Sequence, residues 1–419
     1  METNYCDLGV RTASGKTGSV PERAFITKKK SMKRAFWRLF AVCGALLMAV
    51  LMVSCDNYHL DKRIKLFEED MEAFRAQADN VGMSVVFIKD GEIVYVKHWG
   101  LKRIDSEEIL PDGTVKRTGP AMDDETMMRV ASISKTFTAT GLMQLIEKGA
   151  INLRMDVSDL LGYSVRNPKF PDTVITLEML MSHTSSLNGS GGYNDYEPGN
   201  GYQYCDYNYT LCGRILERYS GERFDEYINK HILAPLGLHG GFNVDSVDRE
   251  KFASLYQWEG EKYVCQDEDA YAPRGEKLDG YKLGEDTYLF SPASGLKMSA
   301  LDLAKYVQMH MNYGVSADGV RIIPEELSKD MQVPRSFVGD EHYGVGLLRN
   351  ATYAEGIDLV GHLGGAWGMR GMIFFNPEER YGFVELSNGA HDTLNEDANM
   401  MHNETIRRML KWFVVEEVK

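Results

Sequence analysis

Cysteine is scarce and poorly placed for cross-linking. Of six cysteines in 419 residues, Cys6, Cys43 and Cys55 precede residue 56, leaving Cys205, Cys212 and Cys265 in the body. Cys205 and Cys212 stand seven apart in a helix-like segment, so about 10 Å apart, too far for a disulfide. A disulfide framework is therefore not expected. The apolar run LFAVCGALLMAVLMV at 39–53 has 15 residues, short of the roughly 20 that a spanning helix needs. There is no Gly-x-Ser-x-Gly, so a strained strand-to-helix serine turn is not encoded. There is no His-Glu-x-x-His and no paired Cys/His spacing, so a metal site has no signature. Gly9 to Thr17 is one residue too long for a phosphate-binding loop. No repeat and no low-complexity tract breaks the chain. No metal and no cofactor is expected.

Basic charge is scarce in the body. Residues 1–55 carry nine Lys/Arg and three Asp/Glu, a net +6, which leaves −20 for the rest of a chain whose total is −14. Such a body has no electrostatic reason to bind nucleic acid. The leader is the opposite: KKKSMKRAFWR at 28–38, the apolar run, then Val53-Ser54-Cys55. Basic, short apolar, then small residues is the layout of an export signal. It resembles a bacterial lipoprotein signal over 32–55, with Cys55 as the lipidated residue, although Met52 stands where leucine is usual. A plain cleaved signal or an uncleaved anchor is the alternative. Met32 would open such a signal conventionally, and residues 1–31 then read as a mis-called extension. The expected location is the periplasm or cell envelope, at the membrane by a lipid anchor.

The body, with 43% apolar and 26% charged residues over the whole chain, has the composition of a globular protein. Residues 56–79 read as a tether and a first amphipathic helix. VGMSVVFIKDGEIVYVKHWG at 81–100 is two β-rich runs about Asp90-Gly91, a hairpin signal. Residues 101–125 read as loop. From 129 to 150 the periodicity is helical, closed by Gly149. The middle, about 150–310, is loop-rich, with helices near 176–183, 207–219, 223–233 and 300–313. Two strands, 369–375 and 380–388, precede a last helix at about 396–414. Strands at both ends and helices between predict an α/β (α+β) domain over 80–415. An antiparallel sheet is flanked by helices, a mainly helical lobe is inserted, and a cleft lies between the lobes.

ASISKTF, 131–137, sets Lys135 three residues after Ser132, so on a helix the two face the same way. Burial lowers the pKa of a lysine, and a neutral amine beside a hydroxyl makes the serine a nucleophile. Ser-x-x-Lys alone is weak, because most such pairs are a serine and a solvated lysine. A second copy, Ser294-Gly295-Leu296-Lys297, lies in a Gly/Pro/Ser-rich turn.

With its flanks, RVASISKTFTATGLMQLIEKGAINL (129–153) resembles the nucleophile helix of serine β-lactamases and penicillin-binding proteins, nearest their class C-like branch of D-peptidases and esterases. EPGNGYQYCDYNYTLCGRILE (197–217) resembles that family's Tyr-x-Asn segment, with Tyr204 as the tyrosine. GHLGGAWGMRGMIFFNPEERYGFVELSNG (361–389) resembles its cleft strand, with His362-Leu363-Gly364 in place of Lys-Thr-Gly. MLMSHTSSL (179–187) and SPASGLKMSALDLAKYVQMHMNYG (291–314) are similar to further family segments. The resemblance covers roughly 80–400. It implies an acyl-enzyme on Ser132, proton transfer through Lys135 and Tyr204, and an oxyanion between the backbone N–H groups of Ser132 and Gly365. It also implies a hydrogen bond donated by His362 to the shuttle or the substrate, and contacts to substrate from Asp206, Gly364 and Trp367. Trp367 reads equally as cleft wall or core.

Two positions depart from the family. Asp206 stands where asparagine is usual. Its carboxylate would hold Lys135 protonated, shift the base role toward Tyr204 and offer no donor to a substrate carbonyl. His362 replaces a permanent cation and would grip a substrate carboxylate weakly. Both departures favour peptides, esters or amides over penicillins. The competing readings are a binder that keeps the cleft without turnover, and a structural envelope lipoprotein, which leaves three motifs in order unexplained. Lys16-Thr17-Gly18, Tyr227-Ile228-Asn229, His98-Trp99-Gly100 and His239-Gly240-Gly241 match single motifs in the wrong order or context.

Overall fold

The computed structural model describes residues 61–189, 191–338, 341–353, 355–391 and 400–415. The export signal, Cys55 and the extension lie outside them. Two compact units are delimited, residues 1–65 and 66–419. The described part of the first, 61–65, is helical. Among the described residues, the second holds every strand and all three motifs.

An eight-stranded antiparallel sheet organises this second unit. Its spatial order is Ser336–Val338, Glu341–Tyr343, Leu348–Asn350, Leu359–Ala366, Met369–Asn376, Tyr381–Gly389, Gly82–Lys89 and Glu92–Gly100. The N-terminal hairpin, turning at Asp90-Gly91, thus pairs with the last strand of the chain. Strand side chains alternate between faces, and both faces are covered. Val86, Ile88, Ile373, Phe375, Val384 and Leu386 join the core beneath the helix Ala300–Met311. On the other face Phe87 stacks between Phe383 and Phe413, 5.4 and 4.5 Å away, under the C-terminal helix Met400–Met409 and the turn after it. Two-sided cover explains why Met83 to Ile88 read as an unbroken, wholly buried run.

The inserted lobe packs around the helix Ser134–Glu147, which is buried from Ser134 to Leu145 on every side. The buried threonines of this helix are satisfied, with the Thr136, Thr138 and Thr140 hydroxyls donating to the carbonyls of Ile133, Pro292 and Thr136. Gly141 lets the helix Asp206–Ser220 close onto it, since a Cβ there would lie 2.6 Å from Leu216 Cδ1. The expected helices at 176–183, 223–233 and 300–313 form as Leu177–Met181, Phe224–Ile228 with the wide turn Asn229–Leu233, and Ala300–Met311.

Two expectations are corrected. Residues 101–125 are not all loop: Ser106–Ile109 and Val115–Thr118 form a hairpin whose residues are nearly all exposed. Its polar sequence gives no core-facing alternation to read. The helical stretch also begins later than 129. Met127–Arg129 is a strand, paired with Lys297–Ser299, and Ser132 sits on a single 3-10 turn, Ala131–Ile133, ahead of the α-helix.

Candidate active site

The turn that carries Ser132 is held from both sides. Ala131 has φ +48°, a left-handed backbone unusual for alanine. That kink separates the strand ending at Arg129 from the α-helix and presents Ser132 at the junction. Behind it, the loop 291–296 is stitched to the helix. Leu296 N–H donates to Ser134 Oγ at 3.0 Å, Thr138 Oγ1 donates to Pro292 O at 2.8 Å, and Arg129 Nε donates to Ser294 O at 2.9 Å. In front, Gly364 brings the cleft strand Leu359–Ala366 against the turn, where a Cβ would lie 2.5 Å from Val130 O.

Lys135 is wholly buried. Its Nζ donates to Ser132 Oγ and to Ala293 O, each at 3.0 Å, and lies 2.6 Å from Asp206 Oδ1. It also sits 4.8 Å from the centre of the Tyr204 ring. Burial pulls the ammonium below its ordinary pKa, and Asp206 pulls in the opposite direction. Tyr204 moves the other way. Burial and the Asp206 charge hold its phenol above the usual value, while its hydrogen bond with Ser132 works to lower it. The expected ion pair with Asp206 is therefore present. The same burial that disfavours a charged lysine also disfavours a phenolate, so burial works against the base role expected of Tyr204.

His362 points to the same face of its strand as Gly364 and is 2% exposed. Its Nδ1 lies 2.6 Å from Leu363 O, which can only accept, so Nδ1 carries the proton. Nε2 is then the acceptor, and the Tyr343 hydroxyl at 3.3 Å donates to it. Burial and the nearby Lys135 charge keep the ring neutral, with its pKa down to about 3. Both nitrogens are engaged, so His362 has no N–H for the shuttle or the substrate. The donor role expected of it is corrected.

Two residues not singled out by the sequence complete the cluster. His183 Nδ1 accepts the Cys205 N–H at 3.1 Å, and its ring lies 4.4 Å from that of Tyr204. It thus fixes the backbone between Tyr204 and Asp206. Burial and the Lys135 charge keep it neutral. Tyr343 stands edge-on to His183 at 5.1 Å and 5.8 Å from the His362 ring. MLMSHTSSL carried a signal for His183, a histidine inside a buried stretch. Tyr343 lies on the three-residue strand Glu341–Tyr343, too short to show a period.

Trp367 occupies the turn after the cleft strand with φ +50°, and the Arg129 guanidinium lies 4.2 Å over its ring. Gly365 is exposed at the strand's end. The second Ser-x-x-Lys is split: Ser294 Oγ meets Arg129, whereas Lys297 Nζ donates to Phe242 O at 2.8 Å. Tyr227 is core, His98 pairs with Asp124, and His239 lies by Asp302. Among the described residues no group of three or more His, Cys, Asp or Glu could hold a metal ion, and no helix is long and apolar enough to cross a membrane.

Comparison with known proteins bears on the family and the fold. Penicillin-binding protein 4 of Amycolatopsis lactamdurans is 25% identical over 61% of this chain and 66% of its own length. Protein flp of Staphylococcus aureus N315 is 22% identical over 77% and 62%, and the putative penicillin-binding protein PbpX of Bacillus subtilis is 29% identical over 54% of each. The matched region spans less than two thirds of the length of these relatives. Among solved structures, the octameric penicillin-binding protein homologue of Pyrococcus abyssi superposes with a TM-score of 0.61 at 26% identity, over 78% of this chain and 73% of that one. The D-amino acid amidase of Ochrobactrum anthropi SV3 shares the fold, with a TM-score of 0.65 at 19% identity over 84% and 98%. Residues 65–404 match the Beta-lactamase family, and the chain belongs to it.

Proposed function

We propose that the chain is a serine hydrolase that works through an acyl-enzyme on peptide-, ester- or amide-like substrates. The observation that carries this is the buried Lys135 ammonium, 3.0 Å from Ser132 Oγ and 4.8 Å from the centre of the Tyr204 ring. Lys135, deprotonated, takes the Ser132 proton as Oγ bonds to the substrate carbonyl carbon. The backbone N–H groups of Ser132 and Gly365 receive the oxyanion. The proton passes through the Tyr204 hydroxyl to the leaving amine or alcohol as its bond to the carbonyl breaks. Water, deprotonated by the same pair, then attacks the ester and releases Ser132. Trp367 and Gly364 border the substrate strand. The leader supports a place in the cell envelope, with Cys55 as the lipidated residue.

The test is covalent labelling with a fluorophosphonate and a fluorescent penicillin, together with turnover of p-nitrophenyl esters. Wild type is expected to label and to release nitrophenol, and Ser132→Ala to do neither. Labelling at Ser132 without turnover of any ester or peptide would instead identify a binder, the reading favoured by the Asp206 charge beside the base. Equal labelling of the Ser132→Ala variant removes the proposed nucleophile.

A further inference from the structure

On the Asp206 side of Ser132 the charges are unusual for a cleft that would hold an anionic substrate; the cations Arg129 and Arg370 lie on the Trp367 and Gly365 side. Asp206 opens the helix Asp206–Ser220 with its side chain 62% exposed, although its Oδ1 lies 2.6 Å from the fully buried Lys135. The carboxylate therefore spans from the base to solvent. It accepts hydrogen bonds and donates none. Across from it, His362 is neutral, and both of its ring nitrogens are engaged with Leu363 and Tyr343. The nearest ammonium, Lys135, is already paired and has no exposed surface.

We infer that Asp206 selects substrates carrying a free ammonium on the carbon next to the scissile carbonyl, such as aminoacyl amides and peptides with an unblocked N-terminus. The inference rests on the serine-hydrolase reading above and deepens it. Two short contacts, 2.6 and 3.0 Å, connect the carboxylate to the Ser132 oxygen through Lys135 Nζ. An ammonium on the carbon next to the carbonyl is therefore within reach of Asp206 while that carbonyl sits on Ser132. A neutral acylamino group meets a carboxylate with no donor for its carbonyl, and a substrate carboxylate meets repulsion.

The same contact ties recognition to chemistry. Asp206 is what raises the Lys135 pKa against burial. A substrate ammonium shares that carboxylate and adds a second positive charge nearby. Both effects favour the neutral amine at Lys135, so the cationic substrate promotes its own acylation, and the gain falls in kcat as well as in KM. Besides Lys135, the titratable groups near Asp206 include Tyr204, Cys205, His362 and the neutral His183 behind Cys205. Tyr204 and Cys205 are held protonated by burial and His362 is held neutral, so none of them brings a competing cation.

The experiment compares p-nitroanilides of alanine, of N-acetylalanine and of lactic acid, each of both hands, on wild type, Asp206→Asn and Ser132→Ala. Lactic acid replaces the ammonium by a hydroxyl of nearly equal size. In wild type the free-amine substrate of the preferred hand should exceed the lactyl one by about tenfold or more in kcat/KM, the size expected of a charge-assisted contact. That ratio should fall to within about threefold in Asp206→Asn, because the charge-assisted part is lost. The ratio is internal to each variant, so any general effect of the substitution on Lys135 cancels. The advantage should also fade above about pH 8, where an α-ammonium loses its proton. Ser132-dependent turnover in which the lactyl or acetyl substrate equals the free amine overturns the inference and leaves the hydrolase reading intact. Release that is absent from every substrate, or unchanged in Ser132→Ala, overturns both.

Discussion

At the residue scale one carboxylate sets the behaviour of two proton carriers. Asp206 raises the pKa of both Lys135 and Tyr204, while burial lowers the first and raises the second. The base must be the group that burial makes neutral and unprotonated, and only the lysine qualifies. On the proposed mechanism, the rising limb of the acylation pH profile is therefore expected to report Lys135. Replacing Asp206 by asparagine keeps shape and hydrogen-bonding capacity but removes the charge that opposes burial. The limb is then expected to move to lower pH, measured as kcat/KM against pH with a neutral ester. A limb that stays in place excludes Asp206 as the group that tunes the base. His362 follows the same logic. The carbonyl beside Nδ1 fixes the tautomer, and the Tyr343 hydroxyl completes it. The histidine therefore shapes the cleft strand instead of charging it.

At the scale of elements, the nucleophile depends on how closely one strand approaches one turn. Gly364 permits that approach, since a Cβ there would sit 2.5 Å from the carbonyl of Val130, two residues before Ser132. Backbone atoms cannot yield as a flexible side chain can, so Gly364→Ala must displace the strand. Overpacking of this kind costs about 1–3 kcal/mol. The expected outcome is an acylation rate lowered by about tenfold or more, since small misplacement of reacting groups is enough for that, with cooperative thermal unfolding preserved. An acylation rate equal to wild type would mean that the strand is not seated by this contact. The sequence made visible whatever carried a local period or turn: the Asp90-Gly91 hairpin, the helix after Ser132, the strands about 377–380, and the three motifs in order. It did not reveal what tertiary contact decides. The strands at 336–338, 341–343 and 348–350 are three residues each and show no alternation. The left-handed Ala131 that sets Ser132 apart from its helix has no compositional mark. Tyr343 could not be linked to His362 because their meeting depends on the order of strands in the sheet.

At the scale of the whole molecule, three of the buried histidines among the described residues are expected to make the fold sensitive to acid. His183, His310 and His362 are each 2% exposed or less. Burial depresses the pKa of all three, to about 3 for His310 and His362. A histidine whose folded pKa lies below its unfolded value near 6.5 contributes stability that is complete above that value. The contribution is lost as pH falls toward the folded pKa, because the unfolded chain binds the proton first. Between about pH 6 and pH 4, His310 and His362 each add about 1.4 kcal/mol of stability per unit rise in pH. His310 isolates the effect. It lies between Tyr306 and Phe375, far in sequence from the catalytic motifs, and its Nε2 contacts Thr140 Oγ1 at 3.4 Å. That hydroxyl also bonds Thr136 O and Tyr306 OH, so His310→Phe strands no polar group on Thr140. Unfolding free energies of wild type and His310→Phe, measured by denaturant at pH 4.5, 5.5 and 6.5, should diverge in slope by about one proton, with the variant the less sensitive to acid. Parallel slopes would show that His310 accepts its proton in the folded state, and the neutral buried histidine would then have no part in the acid sensitivity of this fold.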